Sequence, residues 1–162
     1  MSTQDSAGPR ITGLGQRRPL ATHPLFRGLS AAGFRRVHER IREIPFEAGE
    51  ELVAEGAEVS GMGIVDQGRL ELSKARGGLW HQTLSEVGPG QPFGLVPVLD
   101  GGTSPTTVRA RTGGSYRLLD TPTIRVLLTE EPEFAVALLG ALAERLRTLS
   151  DLSGSLSLHS LR

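Results

Sequence analysis

The chain has 162 residues with 18 basic and 18 acidic side chains, so it lacks the basic excess with which nucleic-acid-binding proteins usually neutralise phosphate. It contains no cysteine, which excludes disulfide bonds, cysteine-ligated zinc and thiol catalysis. Its 38% hydrophobic and 22% charged residues are typical of one folded globular domain. The opening MSTQDSAGPR has no apolar run and no stretch reaches the roughly 20 apolar residues of a membrane span, so we expect a cytoplasmic protein that does not contact membranes.

The N-terminal part of the chain changes character near Pro24. Residues 1–22 are rich in Ser, Thr, Gly and Pro with little apolar periodicity, and we expect them to form a flexible arm. Helical spacing follows, with Ser30 as the cap of a helix whose inward positions are Phe34, Val37 and Ile41.

Short apolar stretches separated by glycine-containing turns fill the region from Ile44 to Asp120. Turns at this density predict about eight short strands in a compact barrel or sandwich. The segment 106–112 alternates as a strand should, which predicts that Val108 and Ala110 point inward and Thr107, Arg109 and Arg111 point outward.

After Asp120 the pattern becomes helical again. Thr121-Pro122 is typical of a helix start, and a second, long helix is predicted from Glu131-Pro132 to at least Leu149. We expect its first half to pack on the strands through Phe134, Leu138 and Leu139. We assign residues 23–150 to one domain and residues 151–162 to the end of the helix or a tail.

An apolar stripe continues along the long helix beyond its first half and is interrupted by Arg145. Its residues recur at three- and four-residue spacing, as in a coiled-coil seam, which favours a homodimer. Packing of the same stripe inside the chain is the alternative. The predicted seam consists of Leu142, Leu149, Leu152 and Leu156.

The order of these elements and an ordered series of glycine motifs resemble the cyclic-nucleotide-binding domain, the effector domain of catabolite gene activator-like regulators. The strongest match is Leu84–Gly94, LSEVGPGQPFG, which is similar to the family pattern L-x-x-L-G-P-G-D-x-F-G. The resemblance covers residues 23 to about 158. It implies a mainly β fold with flanking α, namely a β-roll (double-stranded β-helix or jelly roll) with N-terminal helices and a long C-terminal helix. Further matches are His23–Leu29, Phe46–Glu50, Glu55-Gly56, Asp66–Leu70 and Thr107–Ala110.

The resemblance also identifies a ligand pocket, and this chain departs from the family there. Family members that bind cyclic nucleotides have a glutamate after Phe-Gly, which binds the ribose 2′-hydroxyl, where this chain has Leu95. The arginine that pairs with the cyclic phosphate aligns with Ser104, and the next residue, Pro105, has no N–H. Each lost charge-assisted contact costs about 1.5–3 kcal/mol, so affinity is expected to fall about 100-fold or more. The pocket in question consists of Phe93, Gly94, Leu95, Ser104, Pro105, Thr106, Thr107 and Ser150.

No pattern in the sequence indicates an enzyme or a metal site. Its histidines lack metal-ligand spacing and are expected at surface or boundary positions, and no nucleophile elbow or phosphate loop is present. Glu130, Glu131 and Glu133 are explained by the dipole of a helix start. Trp80 lies in a predicted hairpin, either as an exposed interaction anchor or as a lid on the roll. The histidines are His23, His38, His81 and His159.

These observations favour a non-catalytic regulatory or scaffold protein that acts through protein contacts, as a homodimer. Cyclic nucleotide binding is disfavoured, so no cofactor is expected. In the transcription factors that the chain resembles, a helix-turn-helix domain follows the long helix, and the residues after Ser150 are too few to build one, so we expect no direct contact with nucleic acid. Two alternatives stay open: a sensor for a different nucleotide or anionic small molecule, and a regulatory partner in trans of a DNA-binding protein or an enzyme.

Overall fold

Eight strands form two four-stranded antiparallel sheets in the computed structural model, which describes residues 19–159. One sheet has the order β1-β8-β3-β6 and the other the order β2-β7-β4-β5. This confirms the predicted β-roll and its number of strands. The strands are β1 (Arg42–Phe46), β2 (Glu51–Val53), β3 (Gly61–Gln67), β4 (Leu70–Ala75), β5 (His81–Val87), β6 (Pro92–Phe93), β7 (Thr107–Ala110) and β8 (Gly114–Asp120).

Within residues 19–159 four α-helices flank the roll, and three of them begin where the sequence predicts. The Ser30 hydroxyl accepts a hydrogen bond from the N–H of Gly33 at 3.1 Å, as the predicted cap of the first helix. The Asp120 carboxylate caps the third helix through the N–H of Thr123 at 2.8 Å. The helices are α1 (Ala31–Arg40), α2 (Leu95–Asp100), α3 (Thr121–Glu130) and α4 (Pro132–His159).

The N-terminal segment is described from Pro19 onward. Most of the predicted arm, residues 1–18, lies outside the described residues. Leu20–Thr22 form a 3-10 turn, and the Leu20 side chain packs against the core.

Two apolar clusters form the core, and β3 contributes to both because its side chains alternate between its two faces. Met62 and Ile64 belong to the helix-side core, whereas Val65 belongs to the inter-sheet core. The other buried members of the helix-side core are Leu25, Phe26, Val37, Leu95, Val98, Leu119, Ile124, Leu127, Phe134 and Leu138. The other members of the inter-sheet core are Phe46, Leu70, Leu72, Val87, Phe93, Val108 and Ala110.

Two predicted orientations are wrong. Thr107 is buried, because its hydroxyl accepts a hydrogen bond from the N–H of Glu55 at 3.0 Å and so needs no water. Leu139 is 64% exposed, because it lies on the side of α4 that faces away from the roll. Arg109 and Arg111 do point outward as predicted.

His23 is not the surface or boundary residue that the sequence predicts. It is only 3% exposed, and both ring nitrogens are hydrogen-bonded. Nδ1 accepts from the N–H of Leu25 at 3.2 Å, so Nε2 carries the proton and donates to the carbonyl of Gly90 at 2.8 Å. The ring therefore ties the entry segment to the turn after β5.

The tip of the β4–β5 hairpin exposes two large apolar side chains. Leu79 is 98% exposed and Trp80 is 79% exposed. Trp80 is therefore not a lid on the roll, and of the two alternatives the exposed position is the one found.

Glu131 has a structural role that the helix dipole does not explain. It lies just before α4, yet its buried carboxylate accepts from the N–H of Ser30 at 3.0 Å and from the Ser30 hydroxyl. These hydrogen bonds lower the pKa of the Glu131 carboxyl, with the Ser30 hydroxyl as the largest cause. The carboxylate thus joins the start of α1 to the α3–α4 junction.

We expect Glu131→Gln to lower the free energy of unfolding by about 1 kcal/mol at pH 7, because an amide nitrogen would face the donors of Ser30. The folded-state pKa of Glu131 is depressed, so its stabilisation is present above the ordinary pKa of 4.5 and is lost as the pH falls through the folded-state value. Urea unfolding at several pH values should therefore show a constant gap at pH 6–8 that narrows below pH 4.5.

Glu130→Gln is the matched control for this measurement. Glu130 forms an ion pair with Arg36 at 2.6 Å, but both side chains are solvent-accessible, so its loss should cost less than about 0.5 kcal/mol. Equal effects of the two substitutions would contradict the role assigned to Glu131.

Candidate functional site

The segment from Gly94 to Thr107, called here the cassette segment, crosses from β6 through α2 to β7. Its far end is fixed to the turn that follows β2. The N–H of Ser104 donates to the carbonyl of Ala57 at 2.8 Å, and the N–H of Gly56 donates to the carbonyl of Ser104 at 2.8 Å. The loop is thus held by backbone contacts that do not require a ligand.

Leu95 lies at the start of the cassette segment and faces the interior. It is the first residue of α2, is 3% exposed, and packs in the helix-side core. Phe93 is also buried, but in the inter-sheet core. Gly94 between them has φ of 76°, a left-handed conformation that glycine adopts without strain and that lets the strand turn directly into the helix.

The Ser104 side chain is buried and points back into its own loop. Its hydroxyl donates to the carbonyl of Thr106 at 2.7 Å. Pro105 is exposed, and its carbonyl accepts from Nζ of Lys74 at 3.2 Å. The structure therefore brings Phe93, Gly94 and Leu95 together at one end of the segment, and Ser104–Thr107 together at the other.

Lys74 supplies a cation at this loop, but it already has a partner. Its Nζ lies 3.3 Å from the Glu55 carboxylate. The pKa of Glu55 lies below its ordinary value, chiefly because the N–H of Ala75 donates to the carboxylate and additionally because of Lys74. An anion bound beside Pro105 would have to share Lys74 with Glu55.

The predicted residues of α4 differ in their exposure. Ser150 is exposed, Leu142 packs partly against the helix-side core, and Leu149 is half-buried. Leu152 is 43% exposed. Leu156 falls in the part of α4 whose side chains lie outside the described residues.

A cavity of about 440 Å³ lies elsewhere, between α4, the segment His23–Arg27, and β5 with the turn after it. Of the site residues predicted from the sequence, only Leu149 lines this cavity, and no residue of the cassette segment lines it. Sequence reasoning missed this cavity. The sequence feature that could have indicated it is Arg145, a charged residue within the apolar stripe. Arg145 lines the cavity together with Gly140.

Neither a cluster of metal ligands nor a membrane-spanning helix is found in the part of the chain that the structure describes. Between residues 19 and 159, no group of three or more His, Asp or Glu side chains is placed to hold a metal ion. Over the same range, no helix combines the length and the apolar character needed to cross a membrane.

Comparison with known proteins gives a consistent result. The family model described as cyclic nucleotide-binding domain matches residues 43–131. The CRP-like cAMP-activated global transcriptional regulator of Mycobacterium tuberculosis is 26% identical over 130 residues, which are 79% of this chain and 57% of that protein. The chain thus spans a little over half the length of this curated relative.

Solved structures agree in fold. The catabolite activator protein of Thermus thermophilus has a TM-score of 0.68 at 26% identity, with 85% of this chain and 63% of that chain covered. The N-terminal domain of a transcriptional regulator from Streptomyces coelicolor A3(2) has a TM-score of 0.61 at 28% identity, with 83% of this chain and 94% of that chain covered.

The burial of Leu95 yields a stability prediction. We expect Leu95→Glu to lower the free energy of unfolding by about 3 kcal/mol or more at pH 7, because it places an unpaired carboxylate in the helix-side core. Val96, the next residue of α2, is 41% exposed, so Val96→Glu should change stability by less than about 0.5 kcal/mol. Urea unfolding of the two variants measures the difference. Similar losses would mean that Leu95 does not occupy the core.

Proposed function

The chain belongs to the cyclic nucleotide-binding domain family, and on that premise we propose that it is a non-catalytic regulatory domain which does not bind cyclic AMP or cyclic GMP in the usual way. A regulatory role agrees with the curated relative, which is named a transcriptional regulator. That relative is also named as cAMP-activated, so the proposed lack of ordinary ligand binding rests on the residues of this chain.

The burial of Leu95 is the observation that supports the proposal most directly. A leucine there contributes about 1.5–3 kcal/mol of burial to the fold but offers a ribose no hydrogen bond. Ser104 offers a phosphate no charge, and its hydroxyl is already used by the carbonyl of Thr106. The segment is thus built for packing and internal hydrogen bonding.

We expect cyclic AMP and cyclic GMP to bind with dissociation constants weaker than about 100 μM. The reason is that an acid and a cation are replaced by Leu95 and Ser104, which removes two charge-assisted contacts. Isothermal titration calorimetry with both nucleotides measures this. A dissociation constant near 1 μM, about −8 kcal/mol, would contradict the proposal.

The double substitution Leu95→Glu with Ser104→Arg provides the control. If the missing acid and cation cause the weak binding, the folded double variant should bind cyclic AMP at least about 100-fold more tightly than the wild type. Circular dichroism must show that it folds, because Leu95→Glu alone is destabilising. A folded variant without any gain would place the cause in the loop around Pro105 instead.

We further propose that the domain acts through protein contacts, in the cytoplasm, as a homodimer formed by α4. An uncharged stripe supports this, since it is exposed on the side of α4 away from the roll. It contains Val136, Leu139 and Leu146, each about two-thirds exposed, with Ala143 between the two leucines. A two-fold axis beside α4 would place the stripe against its own copy without opposing like charges. The predicted seam residues Leu142 and Leu149 flank it.

We expect size-exclusion chromatography with light scattering to give twice the chain mass at tens of micromolar. Leu139→Glu with Leu146→Glu should halve this mass and leave the roll folded, because both leucines are exposed. Leu149→Glu with Leu152→Glu tests the seam predicted from the sequence and should weaken the dimer less. A monomeric wild type would contradict the dimer and leave the stripe, with Trp80, as a surface for another protein.

One observation favours a second function, a sensor for a different anion. Lys74 places an ammonium group at the carbonyl of Pro105, next to the position of the missing arginine. A calorimetric panel of cyclic mono- and dinucleotides separates this function from the first. Because the formal net charge is zero, we propose no direct contact of this chain with duplex DNA.

A further inference from the structure

We propose that the cavity beside α4 is a second ligand site, which takes a small organic acid with one carboxylate and an apolar body. The site is distinct from the cassette segment, none of whose residues lines it. The proposal goes beyond the proposed function and does not depend on whether a cyclic nucleotide binds.

Arg145 is the residue that points to an anion. Its guanidinium group is partly buried at the cavity wall, and one of its N–H groups donates to the carbonyl of Pro92 at 3.1 Å. Within residues 19–159 the structure shows no carboxylate paired with it. Burial lowers the pKa of Arg145, as expected for a cation withdrawn from water without a counter-ion. The remaining donors form the planar fork that matches a carboxylate.

The walls provide room for an apolar body. The cavity of about 440 Å³ is within the usual range of small-molecule sites, about 300–1,000 Å³. Leu25 and Leu149 supply apolar surface, and α4 contributes small residues. A Cβ atom added to Gly140 would meet no atom within 4 Å, so the helix leaves this space open. The small residues of α4 are Ala137, Gly140 and Ala141.

The other charges at the cavity select for a single negative charge. Arg27 adds a second cation at the rim, but Glu86 and Glu144 also line the cavity. Glu86 interacts with Arg69 at 3.9 Å and with Arg111 at 3.8 Å, which partly offsets its charge. Both glutamates repel any anion, but the repulsion grows with the charge of the ligand, so a monocarboxylate beside Arg145 is disfavoured less than a multiply charged phosphate.

Titration of the ¹⁵N-labelled protein, observed through its amide resonances, tests the proposal. The probes are sodium benzoate, octanoate and naphthalene-2-carboxylate, with neutral naphthalene-2-carboxamide as the matched control. We expect at least one carboxylate to shift the amides of Gly90, Gly140 and Arg145 saturably, with a dissociation constant on the order of 0.1–1 mM. The carboxamide should bind about tenfold more weakly.

Two substitutions assign the shifts to the cavity. Arg145→Met should weaken carboxylate binding about tenfold, whereas Arg147→Met, the same change at an exposed position of α4, should change it less than twofold. Gly140→Leu should abolish binding by filling the cavity, and leucine is also the better helix former. These variants leave the cassette segment unchanged, so their effects are separate from those on cyclic nucleotides.

Three results would each overturn the proposal: no probe saturates these amides below about 10 mM, the carboxamide binds as well as the carboxylate, or Arg145→Met and Arg147→Met have equal effects. Amide shifts confined to the cassette segment would also overturn the proposal, because they would place the bound probe outside the cavity.

Discussion

The contact between the Phe93 ring and the backbone of Gly63 fixes the geometry on which the cassette segment depends. A Cβ atom on Gly63 would lie 2.3 Å from the ring, so the Phe93 ring can lie over β3 only because residue 63 has no side chain. Tyr116 meets the same ring edge-on, with centroids 5.1 Å apart. With Phe93 committed to the inter-sheet core, the turn at Gly94 directs Leu95 into the helix-side core. The direction of α2 follows from these contacts.

This arrangement separates the stability of the fold from the capacity to bind a ligand. The cassette segment is held by the packing of Leu95 and by backbone hydrogen bonds between Ser104 and the turn at Gly56 and Ala57. None of these contacts needs a phosphate or a ribose to complete it. The conformation of the cassette segment therefore does not depend on a bound ligand, and the fold alone does not decide what binds.

Local sequence patterns were sufficient for the roll but not for the contacts that link distant segments. Glycine turns and alternating apolar residues are local signals, so the number of strands could be predicted, and the Ser30 cap is likewise a local signal. The bond from His23 to Gly90 spans 67 residues, and the bond from Ser30 to Glu131 spans 101 residues, so neither leaves a periodic trace. The cavity could not be predicted for the same reason, because its walls come from three separate segments of the chain. Arg145 therefore looked like a defect in an apolar stripe.

The long helix α4 combines three environments around its circumference, so the proposed dimer contact and the proposed ligand site share one helix. Phe134 and Leu138 anchor it to the core, Arg145 faces the cavity, and Leu139 and Leu146 are exposed. A ligand in the cavity contacts the same helix that would meet a second copy. If dimer and monomer hold α4 at different distances from the roll, ligand affinity and dimer affinity must change by the same factor, because the coupling free energy is reciprocal. If neither event changes the position or the fluctuations of α4, that factor is one, and the two sites are independent although they share a helix.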